Sequence, residues 1–160
     1  MEYTTMESPV GPLLLAADDG GLCIISFAGK KRAVRPHRRW VENAKPFADV
    51  TRQLRAYFRG ALKEFEVPLN MTGTAFQLLV WESLRKIPYG ETASYGELAR
   101  GIGKPEAVRA VGLANGSNPI PIIVPCHRVI GSDGSLTGYG GGLSVKEKLL
   151  ALESRQLRLL

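Results

Sequence analysis

The stretch "ASYGELARGIGKPEAVRAVGLANG", residues 93–116, predicts two short helices joined by a glycine-containing turn. Ser94 and Glu97 stand three residues apart, which is the spacing of a capping box at the start of a helix. Pro105 suits the first turn of the second helix, which we expect to end at Gly116. The pair has the outline of a helix-turn-helix, although many helical pairs with short turns bind no DNA.

The second of these helices carries few large side chains. Arg109 is its only charged residue after the glutamate of its first turn. Its small residues are Ala107, Ala110, Gly112 and Ala114. A small-residue face can lie close to a DNA groove or to the backbone of another helix, and the spacing alone leaves both interpretations open.

The stretch that follows, residues 118–142, reads "NPIPIIVPCHRVIGSDGSLTGYGGG". An apolar run ends there in Cys126, His127 and Arg128, which contain one of the two cysteines and one of the two histidines of the chain. A thiol reacts as its thiolate, and a nearby base or positive charge makes the thiolate accessible. Cys126 is therefore a candidate nucleophile, but a buried small apolar residue and a zinc ligand are the competing interpretations.

The zinc interpretation requires Cys23 and His37 to join Cys126 and His127. Their spacing matches no zinc motif, because the only close pair is directly adjacent in sequence. The nucleophile interpretation has a requirement of its own. Neighbours on a strand point to opposite faces, so a turn after Pro125 has to bring the imidazole near the sulfur, directly or through one water.

The N-terminal part reads as β structure followed by a helix. Two apolar runs, residues 12–17 and 22–27, flank a turn rich in Asp and Gly, which predicts a hairpin. Helical periodicity predicts a helix over residues 46–60, ended by its last glycine. Residues 64–70 are expected to return as a strand. No chemistry is evident within residues 1–70.

After this block the apolar pattern becomes helical. Thr74 and Gln77 form a capping box before an apolar face, and Ser144 and Glu147 form another at the start of a C-terminal helix. We therefore predict an α+β fold in which an N-terminal α/β domain, a β-sheet plus a helix, precedes a mainly helical domain with the helix-turn-helix. The domain boundaries are expected at 1–70 and 71–160.

Composition narrows the functional classes. The 160 residues are 44% hydrophobic, enough for one compact domain or two small ones. No apolar run approaches the roughly 20 residues that cross a bilayer, and no secretory signal is evident. Two cysteines cannot build a disulfide framework, so a cytoplasmic location is the expectation. The net charge of +6 makes nucleic acid a candidate partner, although many proteins are mildly basic.

Four segments together resemble the O6-alkylguanine-DNA alkyltransferase family. They are "FQLLVWESLRKIPYGETASYGELA", "RAVGLANGSNPIPIIVPCHRVIG", "GYGGG" and "KEKLLALE", within residues 74–153. The pentad "PCHRV", residues 125–129, is specific to that family in this context, and the N-terminal block fits more loosely. The resemblance implies a DNA repair protein that takes the alkyl group from O6-alkylguanine, and also from O4-alkylthymine, in one irreversible turnover.

The same resemblance assigns roles to residues of this chain. It implies that Cys126 is the nucleophile and that His127 removes its proton through a water. It implies that Glu153 orients the imidazole, that Asn118 supports the turn before the cysteine, and that Tyr95 donates a proton or hydrogen bond to the departing base.

For DNA, the resemblance implies base flipping through the minor groove, with Arg109 filling the gap in the base stack. The expected DNA contacts are Arg109, Ala107, Ala110, Gly112, Ala114 and Arg128. The expected base pocket consists of Tyr95, Val129, Tyr139 and Gly140. Gly140 stands where many family members carry a hydroxyl residue, so a side-chain contact to the guanine oxygen is lost there.

The implied partner is double-stranded DNA that contains alkylated guanine, bound with little regard to sequence by a monomer. No metal, cofactor or membrane is expected, since the zinc ligands of some members' N-terminal halves have no counterpart here. Three alternatives remain open. They are a non-catalytic alkyltransferase-like protein, which lacks the cysteine, a helix-turn-helix regulator and a cysteine hydrolase.

Overall fold

The computed structural model describes residues 1–158, with side chains as far as residue 154. A four-stranded sheet and one helix come first, and four further helices follow, so the predicted α+β fold is confirmed. The strands of the sheet are β1 (Glu2–Met6), β2 (Leu13–Asp18), β3 (Gly21–Phe27) and β4 (Val41–Glu42), in the order β3-β2-β1-β4.

The predicted hairpin is formed by β2 and β3, which pair antiparallel from Leu13 opposite Phe27 to Asp18 opposite Gly21. Gly21 has φ +131°, a backbone conformation that glycine adopts without strain. The strand expected over residues 64–70 is wrong. That segment reaches β3 only through an isolated bridge at Leu22, where the adjoining proline has no N–H to donate to a ladder.

Helix α1 (Ala48–Phe58) contributes to the same buried core as the strands and ends just before Gly60, as the periodicity predicts. Its apolar side consists of Val50, Leu54 and Tyr57, all buried. Gly60 has φ +79°, so the chain turns away from the helix axis in the left-handed region. Tyr57 is completely buried, and its hydroxyl donates to Glu153 of the C-terminal helix.

The remaining helices are α2 (Ala75–Leu84), α3 (Tyr95–Gly101), α4 (Val108–Gly116) and α5 (Leu143–Arg158). A short parallel pair, β5 (Ala93–Ser94) and β6 (Val129–Ile130), joins the segment before α3 to the segment after the cysteine. None of the helices within residues 1–158 is both long and apolar enough to cross a bilayer.

Two of the predicted capping boxes are present. The side chains of Thr74 and Ser94 each accept a hydrogen bond from the backbone three residues on. The side-chain oxygens of Gln77 and Glu97 in turn accept one from the backbone N–H of the cap residue. The box predicted at Ser144 is wrong, because α5 already begins at Leu143 and this serine lies within its first turn.

The helix-turn-helix pair consists of α3 and α4, which pack against each other and against α2. The second helix begins three residues later than predicted. Pro105 lies in a separate turn closed by a hydrogen bond from Ala107 N to Lys104 O, so the first helical residue is Val108. Trp81 of α2 donates its indole N–H to Ala114 O at 2.8 Å and fixes the pair on the core.

Candidate active site

Cys126 opens a one-turn 3-10 helix, Cys126–Arg128, directly after Pro125. This turn takes Cys126 and His127 out of extended geometry, so the two side chains are not held on opposite faces of a strand. Asn118 supports the preceding loop, because its amide donates to Val124 O at 2.7 Å and its carbonyl oxygen accepts from Ile120 N at 3.0 Å. Asn118 therefore lies where the sequence predicts it.

Ile122, four residues before the cysteine, has φ +75°. A β-branched residue is strained in this region, at a cost of about 1–3 kcal/mol. Burial of its side chain and the hydrogen bond from Val124 N to Ile120 O hold the loop in this shape. The loop is thus a preformed support for the thiol, and its strained residue carries no sequence signal that distinguishes it from an ordinary core isoleucine.

His127 is fully buried, and its Nε2 lies 2.7 Å from Glu153 Oε2 on α5. An ionised carboxylate only accepts hydrogen bonds, so Nε2 carries the proton and Nδ1 presents a lone pair. Nδ1 is buried and has no hydrogen-bond partner among the described residues. Burial lowers the pKa of His127 despite the opposing effect of Glu153, so the ring is a neutral base at neutral pH.

Glu153 is 1% exposed and fully engaged. It accepts from Arg128 Nε at 2.8 Å, Arg128 Nη2 at 3.0 Å and the Tyr57 hydroxyl at 2.6 Å. Gly90 N adds a longer contact at 3.4 Å. Burial alone raises the pKa of Glu153, but hydrogen bonds from His127 and Arg128 outweigh it and bring the pKa to about 2. The carboxylate is therefore ionised at all physiological pH values.

The expectation that Arg128 contacts DNA is wrong. Its side chain is buried, and its guanidinium is shared between Glu153 and the carbonyl oxygen of Ile87, 2.7 Å from Nη1. Arg128 also lies over the ring of Tyr89, 5.7 Å from the centroid. A guanidinium held in this way compensates a buried carboxylate and is not presented to a phosphate.

Cys126 is 4% exposed, and burial raises the pKa of its thiol to about 11. Asn118, Lys146 and Tyr139 act in the opposite direction and favour the thiolate. The Tyr139 hydroxyl is near the thiol but makes no hydrogen bond of normal geometry to any described residue. The resting form of Cys126 is therefore a thiol, which would need a base in order to react as a nucleophile.

Lys146 is an unexpected member of the site. Its side chain is buried, and Nζ donates to Val129 O at 2.6 Å and to Thr137 O at 3.0 Å. Burial lowers the pKa of this lysine, and its charge favours the Cys126 thiolate. In the sequence Lys146 is one lysine of a charged helical stretch, and only the tertiary fold distinguishes it from the exposed ones.

Cys126 borders a cavity of about 410 Å³ between β3 and the loop that Asn118 supports. Tyr139 and Gly140, two of the residues expected to form the base pocket, lie in its wall. Phe27 of β3 packs against Tyr139, with 5.9 Å between ring centroids. The N-terminal sheet therefore supplies part of the wall of a cavity that we expected from the C-terminal part alone.

Two other predicted pocket residues lie outside this wall. Val129 is fully buried behind it, with its carbonyl oxygen bound to Lys146. Tyr95 is half-buried at the start of α3, and its hydroxyl lies 2.9 Å from Thr137 Oγ1. The ring of Tyr95 packs beside Gly112, where an added Cβ would lie 3.8 Å from it.

The small-residue face of α4 is only partly exposed. Arg109 and Ala110 are exposed, whereas Ala107 and Gly112 are half-buried. The expectation that Ala114 contacts DNA is wrong, because Ala114 is 3% exposed and packs against α2. The open face also carries two large apolar residues that the sequence did not single out, namely Val108 and Leu113, which are 41% and 74% exposed.

Comparisons with known proteins identify the family. The model of the 6-O-methylguanine DNA methyltransferase ribonuclease-like domain matches residues 1–71, and that of the DNA binding domain of the same proteins matches residues 75–155. The methylated-DNA–protein-cysteine methyltransferase of Methanosarcina acetivorans is 56% identical and that of Mycolicibacterium paratuberculosis 54% identical. These alignments span 96% and 97% of this chain, and 98% and 93% of the relatives.

Among solved structures, Mycobacterium tuberculosis OGT in complex with DNA superimposes with a TM-score of 0.91 at 51% identity. The match covers 98% of this chain and 94% of that one. The M. tuberculosis O6-methylguanine methyltransferase gives a TM-score of 0.89, with 99% and 98% covered. The agreement extends over both parts of the chain, which belongs to the 6-O-methylguanine DNA methyltransferase family.

Proposed function

We propose that this chain repairs DNA by transferring the alkyl group of O6-alkylguanine to Cys126. Membership of the family makes it a methylated-DNA–protein-cysteine methyltransferase with DNA as its partner. The observation that supports Cys126 as the acceptor is its place in the wall of a cavity, directly before His127 in the chain, whose neutral, buried ring Glu153 holds at 2.7 Å.

The proposed reaction starts from a protonated Cys126 thiol and a neutral His127 that carries its proton on Nε2. His127 Nδ1 accepts the thiol proton through a water, and the sulfur attacks the alkyl carbon as a soft nucleophile. A carbon–sulfur bond forms while the bond from that carbon to guanine O6 breaks, and the electron pair stays on the base. A proton from the Tyr95 hydroxyl neutralises the departing guanine anion. The proton taken up by His127 passes to solvent, and the Tyr95 phenolate regains a proton from solvent. The thioether resists hydrolysis, so each molecule reacts once.

The exposed face of α4 is the proposed DNA-binding surface. Arg109 and Ala110 lie on this face beside the large apolar side chain of Leu113. We propose that α4 enters the minor groove and that Arg109 occupies the gap left by the flipped nucleotide. Unstacking a base costs a few kcal/mol, and a side chain in the gap offsets part of that cost.

Tyr139 and Gly140 are the proposed walls for the flipped base. Gly140 has open space where a side chain would stand. We propose that its backbone N–H takes the place of the missing hydroxyl opposite guanine O6. Tyr95 and Val129 complete the proposed pocket only when the base is bound, as catalytic contacts often tighten in the complex. The same pocket is proposed to accept O4-alkylthymine.

We also propose that the chain divides into domains at 1–70 and 71–160 and acts as a monomer in the cytoplasm. The interface between these parts contains Phe27 against Tyr139 and Tyr57 bound to Glu153. Both contacts reach residues of the proposed site, so the N-terminal part supports the reaction although it carries no nucleophile.

Titration of methylated duplex with limiting protein tests the proposal. We expect one O6-methylguanine to disappear for each protein molecule, because the thioether is final. More than one per molecule indicates a cysteine hydrolase or another catalyst with turnover. No loss, with binding retained, indicates a helix-turn-helix regulator or a non-catalytic lesion-binding protein and contradicts the proposal.

A further inference from the structure

We infer that Tyr57, on the N-terminal helix α1, is a positioning residue that keeps His127 in the form of a neutral base. Its hydroxyl donates to Glu153 Oε2 at 2.6 Å, and the same oxygen lies 2.7 Å from His127 Nε2. The inference rests on the proposed function and deepens it, because it assigns to the N-terminal part a role in setting the acid–base chemistry of Cys126.

The aromatic neighbours of Tyr57 fix the direction of its hydroxyl. The ring is fully buried and packs against Phe58, Phe65 and Tyr89, with centroid distances of 5.4, 5.4 and 6.2 Å. A ring confined on these sides cannot swing away to another acceptor. Burial and the neighbouring carboxylate raise the pKa of Tyr57 far above its ordinary value, so the phenol stays a hydrogen-bond donor.

The consequence concerns how strongly Glu153 attracts the proton of His127. A carboxylate oxygen that already accepts from a phenol carries less free charge and is a weaker base. Removal of the Tyr57 hydroxyl leaves more of that charge for His127 and stabilises the imidazolium. The pKa of His127 then rises, and less of the neutral base is present at a given pH.

The charged and titratable groups around the pair formed by His127 and Glu153 come from several elements. They are Lys146 of α5, Arg128 and Cys126 of the turn that contains His127, Tyr57 of α1, Tyr89 after α2, and Tyr139 of the pocket loop. Tyr57 is the one among them that adds a neutral donor to the Glu153 oxygen facing the imidazole. Its hydroxyl can therefore be removed without a change of net charge.

The test is the pH profile of single-turnover transfer by the Tyr57→Phe variant of the full chain, with methylated duplex at saturation. We expect the acidic limb to move up by about one pH unit, so that transfer is about tenfold slower well below the midpoint. On the alkaline plateau the rate should equal that of the unaltered chain. A merely structural loss slows transfer by the same factor at every pH and leaves the midpoint in place, which would overturn the inference.

Tyr89→Phe is the matched control. Tyr89 belongs to the same aromatic cluster, but its buried hydroxyl has no hydrogen-bond partner among the residues that the structure describes. We expect its acidic limb to coincide with that of the unaltered chain. Equal shifts in both variants contradict the inference, because they would follow from the loss of any phenol in the cluster.

A second measurement needs no variant. In the proton spectrum of the unaltered chain, the Tyr57 hydroxyl should give a signal protected from solvent exchange, with a cross-peak to the His127 ring proton on Nε2. The lack of that signal overturns the inference. Failure of the proposed function looks different, because the unaltered chain itself would then transfer no alkyl group at any pH.

Discussion

Glu153 Oε2 lies 2.7 Å from His127 Nε2, and both side chains are almost completely removed from solvent. The two residues are 26 positions apart in the chain, so only the docking of α5 on the cysteine turn brings them together. This contact sets the tautomer of the imidazole and leaves its other nitrogen free to accept a proton. We propose that this pair and the Cys126 thiol act together as a triad.

Replacement of the nucleophile is the first prediction. Cys126→Ser should abolish alkyl transfer while duplex binding persists, because the alcohol is nearly isosteric but a much poorer nucleophile. Cys23→Ser is the control. Cys23 lies in β3 and should be dispensable. Single-turnover assays and binding titrations measure both, and appreciable transfer by Cys126→Ser refutes the assignment.

The second prediction concerns base flipping. Arg109→Ala should slow repair of duplex strongly at saturating DNA, but should barely affect reaction with the free methylated base, which needs no unstacking. Arg55→Ala, the same change at an exposed position of α1, should alter neither rate. Equal losses on both substrates would mean that Arg109 supports the pocket. Unchanged rates with weaker binding would make it a phosphate contact.

The third prediction follows from the buried position of Arg128. Arg128→Met should lower the free energy of unfolding by about 3–5 kcal/mol, because the ionised Glu153 loses its buried counter-charge. The salt dependence of DNA binding by the folded fraction should not change, since Arg128 contacts no phosphate. Arg39→Met, at an exposed position, is the control for stability. A smaller salt slope with normal stability would restore Arg128 as a DNA contact.

The fourth prediction is acid sensitivity. The folded pKa of Glu153 lies near 2, below its ordinary 4.5, so its contribution is present above 4.5 and is lost as the pH falls towards 2. The pKa of His127 also lies below its ordinary 6.5, so the unfolded chain takes up a proton that the native state refuses. Both effects lower the free energy of unfolding as the pH falls. Urea unfolding should show stability falling steadily below pH 6.5, and constant stability down to pH 4 contradicts the account.

Short sequence patterns correctly predicted those elements that depend on interactions between residues close together in the chain. The capping boxes at Thr74 and Ser94 and the hairpin of β2 and β3 each depend on residues only a few positions apart. The predicted start of α4 was wrong, because a proline suits an isolated turn as well as the first turn of a helix, and Pro105 lies in an isolated turn. The capping box predicted at Ser144 was wrong, because α5 begins one residue before this serine.

Within the candidate site, the resemblance pointed to His127 and Glu153, which the structure brings into contact, and to Cys126, which lies in the cavity wall. No pattern in the neighbouring sequence indicated that the residues around these three belong to the site. Tyr57 looked like an ordinary core residue of an amphipathic helix, and Lys146 looked like a helical surface charge. Arg128 was misassigned, because an arginine beside a reactive cysteine suggests a nucleic-acid contact as readily as a buried partner for a distant glutamate.

The most direct test of the central claim is the mass of the protein after reaction with duplex that contains O6-methylguanine. The account predicts that the whole population gains one methylene unit, that peptide mapping places it on Cys126, and that further DNA adds nothing. An unchanged mass after repair of the DNA, or a methyl group found on Cys23, contradicts the claim that Cys126 is the acceptor.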